Sequence, residues 1–172
     1  MKLVIGSLER HHDRLDFDCG ESALNTFLQR LARQQPDRDF SRTYVATAPG
    51  ESRVLGFYAL SSASVSFDHW PTDLKLPRYP VPVARIGRLA VDLREQGLGM
   101  GAALLQHALH LVAQLAQQIG LFAVVVDAKN EDAVSFYLRY GFQRVPDHEM
   151  TLFITTDVVR RAMAAKPAGT PH

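Results

Sequence analysis

The segment ARIGRLAVDLREQGLGMGAALL, residues 84–105, changes from a strand pattern to a helical pattern across a glycine-rich turn. Strand-type apolar residues precede the turn at Ile86, Leu89 and Val91, and helical spacing resumes from Ala102 to Ile119. Glycine lets backbone N–H groups approach a ligand without interference from a Cβ atom. The first turn of a helix adds unpaired N–H donors at the positive end of its dipole. The segment therefore predicts an anion-binding turn.

Two other interpretations of this turn stay open on these residues alone. It can be a tight strand-to-helix connection that binds no ligand. Gly97, Gly99 and Ala102 also match the dinucleotide-binding pattern G-x-G-x-x-G/A. That pattern is typically followed by an acidic residue about twenty positions later and by further βαβ units, whereas Asp127 lies farther along and little chain follows it. No Gly-Lys-Ser/Thr sequence occurs, which disfavours a P-loop.

The composition predicts one globular domain without a strongly charged surface. The chain has 172 residues, of which 47% are hydrophobic and 22% charged, and its formal charge is +1. Any basic surface for nucleic acid must therefore be local. The single cysteine, Cys19, is expected to be a small buried residue in a reducing compartment. Neither a signal peptide nor a membrane-length apolar segment is recognised, so no membrane association and a cytoplasmic location are expected.

Hydrophobic periodicity predicts a mixed α/β domain at residues 1–160, followed by a flexible tail at residues 161–172. An amphipathic first helix has its apolar face at positions spaced i, i+3, i+4 and i+7, namely Leu24, Phe27, Leu28 and Leu31. The long helix after the glycine-rich turn is expected to end at Gly120, and a short helix begins at Asn130 or Glu131. Strands are predicted at residues 3–5, 42–48, 53–65, 84–91, 121–126, 142–145 and 150–154.

Two local features carry weaker hypotheses. The proline-containing segment 67–82 is either a substrate-side loop or a plain connection. The adjacent histidines His11 and His12 have no further ligand at metal-site spacing, so no metal site is predicted.

Two spaced motifs resemble those of the GCN5-related N-acetyltransferases (GNAT family). Arg94, Gly97 and Gly99 match the family pattern R/Q-x-x-G-x-G/A. Asn130, Ala133 and the segment FYLRYGF at residues 136–142 resemble the pattern N-x-x-A-x-x-F-Y-x-x-x-G-F. The resemblance implies an α/β fold with a mixed central sheet splayed between two parallel strands and helices on both faces.

The same resemblance implies acetyl-CoA as the co-substrate. The pantetheine would pair with the backbone of Leu89, Ala90 and Val91, a form of strand addition. The residues implied for the pyrophosphate are Gln96, Gly97, Leu98, Gly99, Met100 and Gly101. Arg94 would add charge at the rim or be solvated. Asn130, Ala133 and Phe136 belong to the second cofactor-binding motif, with Asn130 on the pantetheine side and the Phe136 ring directed into the core.

Tyr137 lies where the family motif has a general acid. A tyrosine with an ordinary pKa near 10 is protonated at neutral pH and can donate its proton to a departing thiolate. Alternatively, the Tyr137 ring only packs in the core, and Tyr140 is the reserve candidate.

The strand beside the expected thioester, residues 86–91, contains no carboxylate that could act as a general base. A lysine amine with a pKa of about 10.4 would need help with deprotonation, whereas an α-amino group with a pKa of about 7.7–8.0 is already partly neutral. A weakly basic amine is therefore favoured as the acceptor, although water or a histidine could serve a lysine.

The N-terminal half extends the resemblance to one branch of the family, the acetyltransferase toxins of bacterial toxin–antitoxin modules. The segments that carry it are FDCGESALNTFLQRLA, SRTYVA, GFYALSSASV and RLAVDLREQGLGMGAALL. This resemblance implies acetylation of the α-amino group of aminoacyl-tRNA and neutralisation by a ribbon-helix-helix antitoxin, and it leaves a homodimer open. Two alternatives are a housekeeping acetyltransferase for a small amine or protein N-terminus and a non-catalytic acyl-CoA-binding module.

Binding of tRNA would require a local basic patch, because the net charge is small. The candidate arginines are Arg30, Arg33, Arg38, Arg42, Arg78, Arg85, Arg88 and Arg139. Of these, Arg30, Arg33, Arg85 and Arg88 are the selected substrate-binding candidates, although a solvated surface role is favoured for any single one of them.

Overall fold

The computed structural model describes residues 2–33, 40–66, 70–71, 74, 76 and 80–165. Its elements in chain order are β1 (Val4–Ser7), α1 (Ser22–Thr26), a π-helical turn (Phe27–Leu31), β2 (Arg42–Thr47), β3 (Gly56–Val65), β4 (Val81–Val91), a 3-10 turn (Leu93–Glu95), α2 (Met100–Leu115), β5 (Ala123–Asp127), α3 (Glu131–Arg139), β6 (Gln143–Val145), β7 (His148–Thr155) and α4 (Thr156–Ala164). Within these ranges seven strands form one mixed sheet in the order β1-β2-β3-β4-β5-β7-β6, with one parallel pair. The predicted mixed α/β architecture is confirmed.

The chain divides into two compact units. Unit 1 contains Met1–Ser61 and Ile86–Ala108, and unit 2 contains Ser62–Arg85 and Leu109–His172. Strands β3 and β4 and helix α2 each contribute residues to both units. Most of the proline-containing segment 67–82, for which a substrate-side loop was one hypothesis, lies outside the described residues, as do Arg38 and Arg78.

Unit 1 contains the antiparallel strands β1 and β2 and the N-terminal part of β3, which pairs with β2. Its core is centred on Phe57, whose ring packs edge-on against Phe17 at 5.5 Å and stacks on Phe27 at 6.0 Å between ring centroids. Cys19 belongs to the same buried cluster, as predicted. This apolar cluster therefore joins the first helical segment to the sheet within unit 1.

The first helix differs from its prediction because it changes from α to π geometry after Thr26. The Ala32 N–H bonds to the Phe27 carbonyl at 2.8 Å, an i to i+5 hydrogen bond. This wider turn inserts one extra residue, so the apolar face continues at Ala32, which is fully buried, while Leu31 is 41% exposed. The predicted fourth position of the apolar face was therefore wrong.

Gly56 allows the start of α2 to pack closely on the sheet in unit 1. A Cβ atom at this position would lie 2.9 Å from Leu104 Cδ1 and 3.1 Å from the Ala90 carbonyl oxygen. Leu104 is completely buried, so its side chain has little space into which to move. Only glycine fits here without displacing α2 or β4.

We expect Gly56→Ala to lower the free energy of unfolding by about 1–2 kcal/mol. Overpacking costs about 1–3 kcal/mol, and the gain from a less flexible unfolded chain offsets roughly 0.5–1 kcal/mol of that cost. Gly6→Ala is the matched strand control, because a Cβ at Gly6 would meet no heavy atom within 4 Å. Equal unfolding midpoints in urea for the two variants would contradict this close packing.

Unit 2 contains the antiparallel pairs β5–β7 and β6–β7. Trp70 lies in its core and packs edge-on against Phe122 at 5.4 Å and Phe153 at 4.9 Å. Pro146 and Asp147 form the turn between β6 and β7, and Asp147 has a positive φ of 64°. The β5 residues Ala123–Val126 are all buried, as expected for a strand covered on both faces.

Several predicted boundaries differ from those of the structure. The strand expected to begin at Arg53 begins at Gly56. The backbone of Arg53 makes an isolated β-bridge with Asp13 outside this strand. Helix α2 ends at Leu115, so Ile119, which was expected on its apolar face, is 58% exposed.

Helix α4 was not predicted and extends to Ala164, so the segment where the tail was expected to begin is helical. The Thr155 side chain caps this helix by accepting a hydrogen bond from the Val158 N–H at 3.2 Å. Residues 166–172 lie outside the described part of the chain. None of the helices that the structure describes has the length and apolar character required to cross a membrane.

Candidate functional site

The glycine-rich turn in unit 1 has an open backbone and leads directly into a long helix. Residues 96–99 are exposed, and Gly97 and Gly99 both have φ of +83°. A Cβ at either glycine would meet no heavy atom within 4 Å, so glycine is favoured there by backbone conformation rather than by lack of space. Helix α2 begins at Met100, two residues earlier than predicted.

The N-terminus of α2 has the donors that an anion requires. The Ala103 N–H bonds to the Gly99 carbonyl at 3.1 Å, which closes the first turn of the helix. The N–H groups before Ala103 therefore belong to the part of the helix that has no intrahelical acceptors. With the positive end of the helix dipole, they give the turn the geometry of a phosphate-binding site.

A buried carboxylate holds the loop that precedes this turn. Asp92 is 1% exposed and follows directly after β4. Its Oδ1 accepts hydrogen bonds from Arg94 N at 2.9 Å and Arg94 Nε at 3.0 Å, and its Oδ2 accepts from Arg94 Nη2 at 3.1 Å. Burial favours a raised pKa for Asp92, but these bonds and one from the Asp18 N–H outweigh it and lower the pKa to about 2.

Arg94 therefore has a defined structural partner that the sequence analysis did not predict. Its Nη2 also donates to the Asp16 carbonyl at 3.2 Å. The family pattern R/Q-x-x-G-x-G/A fits a second time, two residues later, with Gln96, Gly99 and Gly101, an alternative that the sequence analysis missed. Gln96 Nε2 donates to the Val91 carbonyl at 3.0 Å, which keeps this side chain close to the end of β4.

The strand residues selected for pantetheine pairing lie at the C-terminal end of β4. Ala90 is buried at 5% exposure, whereas its neighbours Leu89 and Val91 are half-buried. This alternation in burial is typical of a strand with one face more strongly covered than the other. These three residues lie in unit 1 with the glycine-rich turn.

The second motif forms helix α3 in unit 2. Asn130 caps the helix, and its side chain accepts a hydrogen bond from the Ala133 N–H at 2.8 Å. The predicted start of this helix is confirmed. The motif asparagine and alanine are thus paired at the beginning of the helix that presents Tyr137 two turns later.

The structure corrects the expected burial of Phe136 and buries its neighbour Tyr137. Phe136, which was expected to point into the core, is half-buried, whereas Tyr137 is 7% exposed and packs against Phe142 at 5.3 Å between ring centroids. The helical period explains this, because Tyr137 follows the buried Val134 by three residues on the same face. Burial raises the pKa of Tyr137 to about 12, so its hydroxyl is protonated at neutral pH. Tyr140, the reserve candidate, contacts Phe136 at 5.1 Å.

The four arginines selected for substrate binding are distributed over the two units. Arg30, Arg33 and Arg88 belong to unit 1, and Arg85 belongs to unit 2. The Arg88 guanidinium lies 3.9 Å from the centre of the Phe27 ring, a cation–π contact that holds it on the π-helical turn.

Arg14 is an additional cation near Arg33 that the sequence analysis missed. It donates to the Leu28 carbonyl at 2.9 Å. Burial, and then the positive charge of Arg33, lower the pKa of Arg14. No periodic pattern or motif in the sequence indicates this proximity, because it depends on how the first loop folds over the π-helical turn.

The acidic residues at the ends of β4 and β5 are both bonded to arginine. Asp92 pairs with Arg94, and Asp127 pairs with Arg85 and accepts a hydrogen bond from Thr151 Oγ1 at 2.8 Å. The charge of Arg85 is therefore already partnered within unit 2. The Asp92 carboxylate is stabilised in its ionised form by its arginine, which makes it a weaker base.

His107 lies on α2 in unit 1 and contacts the rings of Tyr44 and Tyr58. Its Nδ1 lies 2.7 Å from the hydroxyl oxygen of the buried Tyr58, whose ring stacks on Tyr44 at 5.1 Å. Burial, and then the nearby Tyr44, raise the pKa of Tyr58. These contacts give His107 a packing role in unit 1.

Comparison with known proteins identifies the fold and the type of domain. A family model described as an acetyltransferase (GNAT) domain matches residues 16–152. A tRNA-acetylating toxin of Mycobacterium tuberculosis is 38% identical over 144 residues, which cover 83% of this chain and 85% of the relative. The predicted GNAT-type fold and the resemblance to the toxin branch are thereby confirmed.

Two solved structures show the same similarity in three dimensions. AtaT complexed with acetyl-methionyl-tRNAfMet superposes with a TM-score of 0.87 at 32% identity, covering 94% of this chain and 99% of AtaT. A tyrosine-to-phenylalanine mutant of the AtaT toxin, bound to the C-terminus of the antitoxin AtaR and acetyl-CoA, superposes with a TM-score of 0.81 at 32% identity, covering 94% and 98%.

Proposed function

Because this chain belongs to the GNAT family of acetyltransferases, we propose that it transfers the acetyl group of acetyl-CoA to the α-amino group of an aminoacyl-tRNA. Family membership makes the chain an acetyl-CoA-dependent N-acetyltransferase. The choice of acceptor rests on one observation above others, the 38% identity to a tRNA-acetylating toxin across 83% of the chain. Acetylation of that amino group would block translation, which is the action proposed for this chain as a toxin.

The chemistry of the described residues supports an α-amine as the acceptor. Strand β4 has no carboxylate between Ile86 and Val91, and the acids that follow β4 and end β5 are both bonded to arginine. An α-amino group with a pKa of about 7.7–8.0 is partly neutral without a strong base, unlike a lysine amine with a pKa of about 10.4. The described ends of β4 and β5 therefore offer no carboxylate without an arginine partner, and this arrangement suits the α-amine better.

Binding of acetyl-CoA is assigned to two parts of the chain. The N–H groups from Gln96 to Gly101 would bind the pyrophosphate, and the backbone of Leu89–Val91 would pair with the pantetheine. The exposed turn, its two positive φ angles and the helix N-terminus at Met100 fit this role. Asn130, at the N-terminus of α3, would contact the pantetheine side.

Tyr137 is proposed as the general acid of the reaction. The neutral amine attacks the thioester carbonyl carbon, a carbon–nitrogen bond forms, and the carbon–sulfur bond breaks as the intermediate collapses. Tyr137 would donate its hydroxyl proton to the departing CoA thiolate, the amine nitrogen would lose a proton to solvent, and the tyrosinate would regain a proton from solvent. Because burial raises the pKa of Tyr137 to about 12, the donor form persists throughout the physiological pH range.

The tRNA phosphates are proposed to contact the arginines of unit 1. Arg30, Arg33 and Arg88 remain candidates, and the structure adds Arg14 beside Arg33. Arg85 is the weakest of the original four, because Asp127 already binds its guanidinium. Phosphate contacts of this type would make tRNA binding weaken steeply as salt concentration rises.

We further propose a cytoplasmic location and a ribbon-helix-helix antitoxin as the protein partner. The support is the solved complex of AtaT with the C-terminus of its antitoxin AtaR. Co-expression with the adjacent small reading frame should restore bacterial growth and co-purify the two proteins; failure of both would reject this partner.

The acceptor is tested by incubating the protein with labelled acetyl-CoA and either aminoacylated or deacylated tRNA. We expect label only in the aminoacylated sample, and alkaline hydrolysis of the ester should release it as N-acetyl amino acid. Equal labelling of both samples, or labelling of protein lysines alone, would reject aminoacyl-tRNA as the acceptor while leaving the acetyltransferase activity intact.

A further inference from the structure

Asp92 connects three separate segments of unit 1 through its carboxylate and its backbone N–H. Besides its bonds to Arg94, Oδ2 accepts a hydrogen bond from the Asp18 N–H at 3.2 Å. The Asp92 N–H donates to the Leu55 carbonyl at 2.9 Å, and the Leu93 N–H donates to the Asp18 carbonyl at 2.8 Å. The residues that follow β4 and precede the glycine-rich turn are thus bonded to the first loop of the chain and to the residue before β3.

Neighbouring contacts continue this attachment up to the glycine-rich turn. Gln96 Nε2 lies 3.4 Å from the Cys19 carbonyl, and Glu95 forms an ion pair with Arg53 at 2.8 Å. Glu95 is only 13% exposed in this pair. Each residue from Asp92 to Gln96 therefore makes at least one described hydrogen bond to a segment outside the loop or to its own strand end.

Two roles for Arg94 make different demands on its guanidinium. A phosphate ligand would present its paired N–H groups to the cofactor, whereas Nε and Nη2 of Arg94 both donate to Asp92. The Nε–Nη2 edge is one of the two edges by which a planar guanidinium binds an anion in bidentate fashion, and here a carboxylate occupies it. The contacts therefore favour an internal partner over a phosphate ligand.

We propose that Asp92 and Arg94 are positioning residues, which hold the turn from Gln96 to Gly101 in the conformation that binds acetyl-CoA without themselves contacting the cofactor. This inference rests on the proposed role of that turn. In this proposal Arg94 supports the loop, and the backbone N–H groups of the glycine-rich turn bind the phosphates.

The two roles predict opposite changes in acetyl-CoA affinity for the variant Asp92→Asn. Removal of a negative charge near a pyrophosphate site, and release of Arg94, would strengthen acetyl-CoA binding if Arg94 were a phosphate ligand. If the pair positions the loop, the same change weakens binding, because the loop loses its charge-assisted hydrogen bonds. Bonds of this type support a loss of roughly tenfold or more in affinity.

The experiment measures the Kd for acetyl-CoA by isothermal titration calorimetry with the full chain. Asp92→Asn and Arg94→Gln are each expected to raise Kd, and the double variant should add little to either single loss, because both remove the same interaction. Asp157→Asn is the matched control, since it breaks an exposed Asp–Arg pair on α4. Unchanged or tighter binding by Asp92→Asn would overturn the proposal.

Arg94→Lys keeps the test decisive if Asp92→Asn fails to fold. Lysine preserves the positive charge but cannot reproduce the two bonds from Nε and Nη2. Weakened binding by Arg94→Lys supports positioning, whereas unaltered binding would indicate a simple charge contact and refute it. KM for acetyl-CoA should rise while KM for tRNA stays constant, a split that general destabilisation would not produce. Failure of the unmodified protein to bind acetyl-CoA would instead refute the proposed function of the turn.

Discussion

Replacement of Tyr137 by phenylalanine is expected to slow acetyl transfer by about 10²- to 10⁴-fold, the usual contribution of a general acid. The ring packs against Phe142 in the core of unit 2, and phenylalanine preserves that contact. The variant loses only the hydroxyl that would protonate the CoA thiolate. Stability and the Kd for acetyl-CoA should therefore change little, and the effect should lie in kcat.

Tyr140→Phe is the matched control for this prediction. Tyr140 lies one turn later on the same helix region, is half-buried and contacts Phe136. Single-turnover rates with saturating acetyl-CoA should fall for Tyr137→Phe and stay close to wild type for Tyr140→Phe. The opposite pattern would transfer the acid role to Tyr140, and unaltered rates in both variants would assign the proton to water. Because burial raises the pKa of Tyr137 to about 12, no loss of rate from its ionisation is expected as pH rises to about 10.

Substitution of Gly99 by aspartate is expected to weaken acetyl-CoA binding by roughly a hundredfold or more. The new carboxylate would lie at the N-terminus of α2, where the pyrophosphate is proposed to bind, and juxtaposed like charges cost several kcal/mol. Open space surrounds the position of the new Cβ, so the folded structure has room for the side chain. The loss should appear in Kd for acetyl-CoA, measured by calorimetry.

The positive φ of Gly99 makes a conformational control necessary. Gly50 lies in the turn between β2 and β3 and has a similar φ of +77°. A Cβ atom at Gly50 would likewise meet no heavy atom within 4 Å. Gly50→Asp should therefore match any strain in Gly99→Asp without affecting cofactor affinity. Similar affinities for both variants would show that the glycine-rich turn does not bind the pyrophosphate.

Local sequence patterns predicted much of the architecture and the main parts of the site. The change from strand to helical spacing located β4, the glycine-rich turn and α2, because these periods follow directly from backbone geometry. The asparagine before an acidic first turn likewise predicted the start of α3. Helix ends were less accurate: the π-helical turn at Phe27–Leu31 and the end of α2 at Leu115 depend on packing that periodicity does not contain.

The amino-acid sequence by itself determined the order of elements from β1 to β7, the glycine-rich turn and the two motifs that place the chain in its family. Only the tertiary structure decided which charges neutralise one another. Arg94 bonds to Asp92 only two residues away, but the Asp18 N–H that binds the same carboxylate lies 74 residues earlier in the chain. Likewise, Arg85 meets Asp127 across 42 residues. Periodicity reports which face of a local element is buried, whereas the partner of a charged side chain depends on contacts between segments that are distant in the chain.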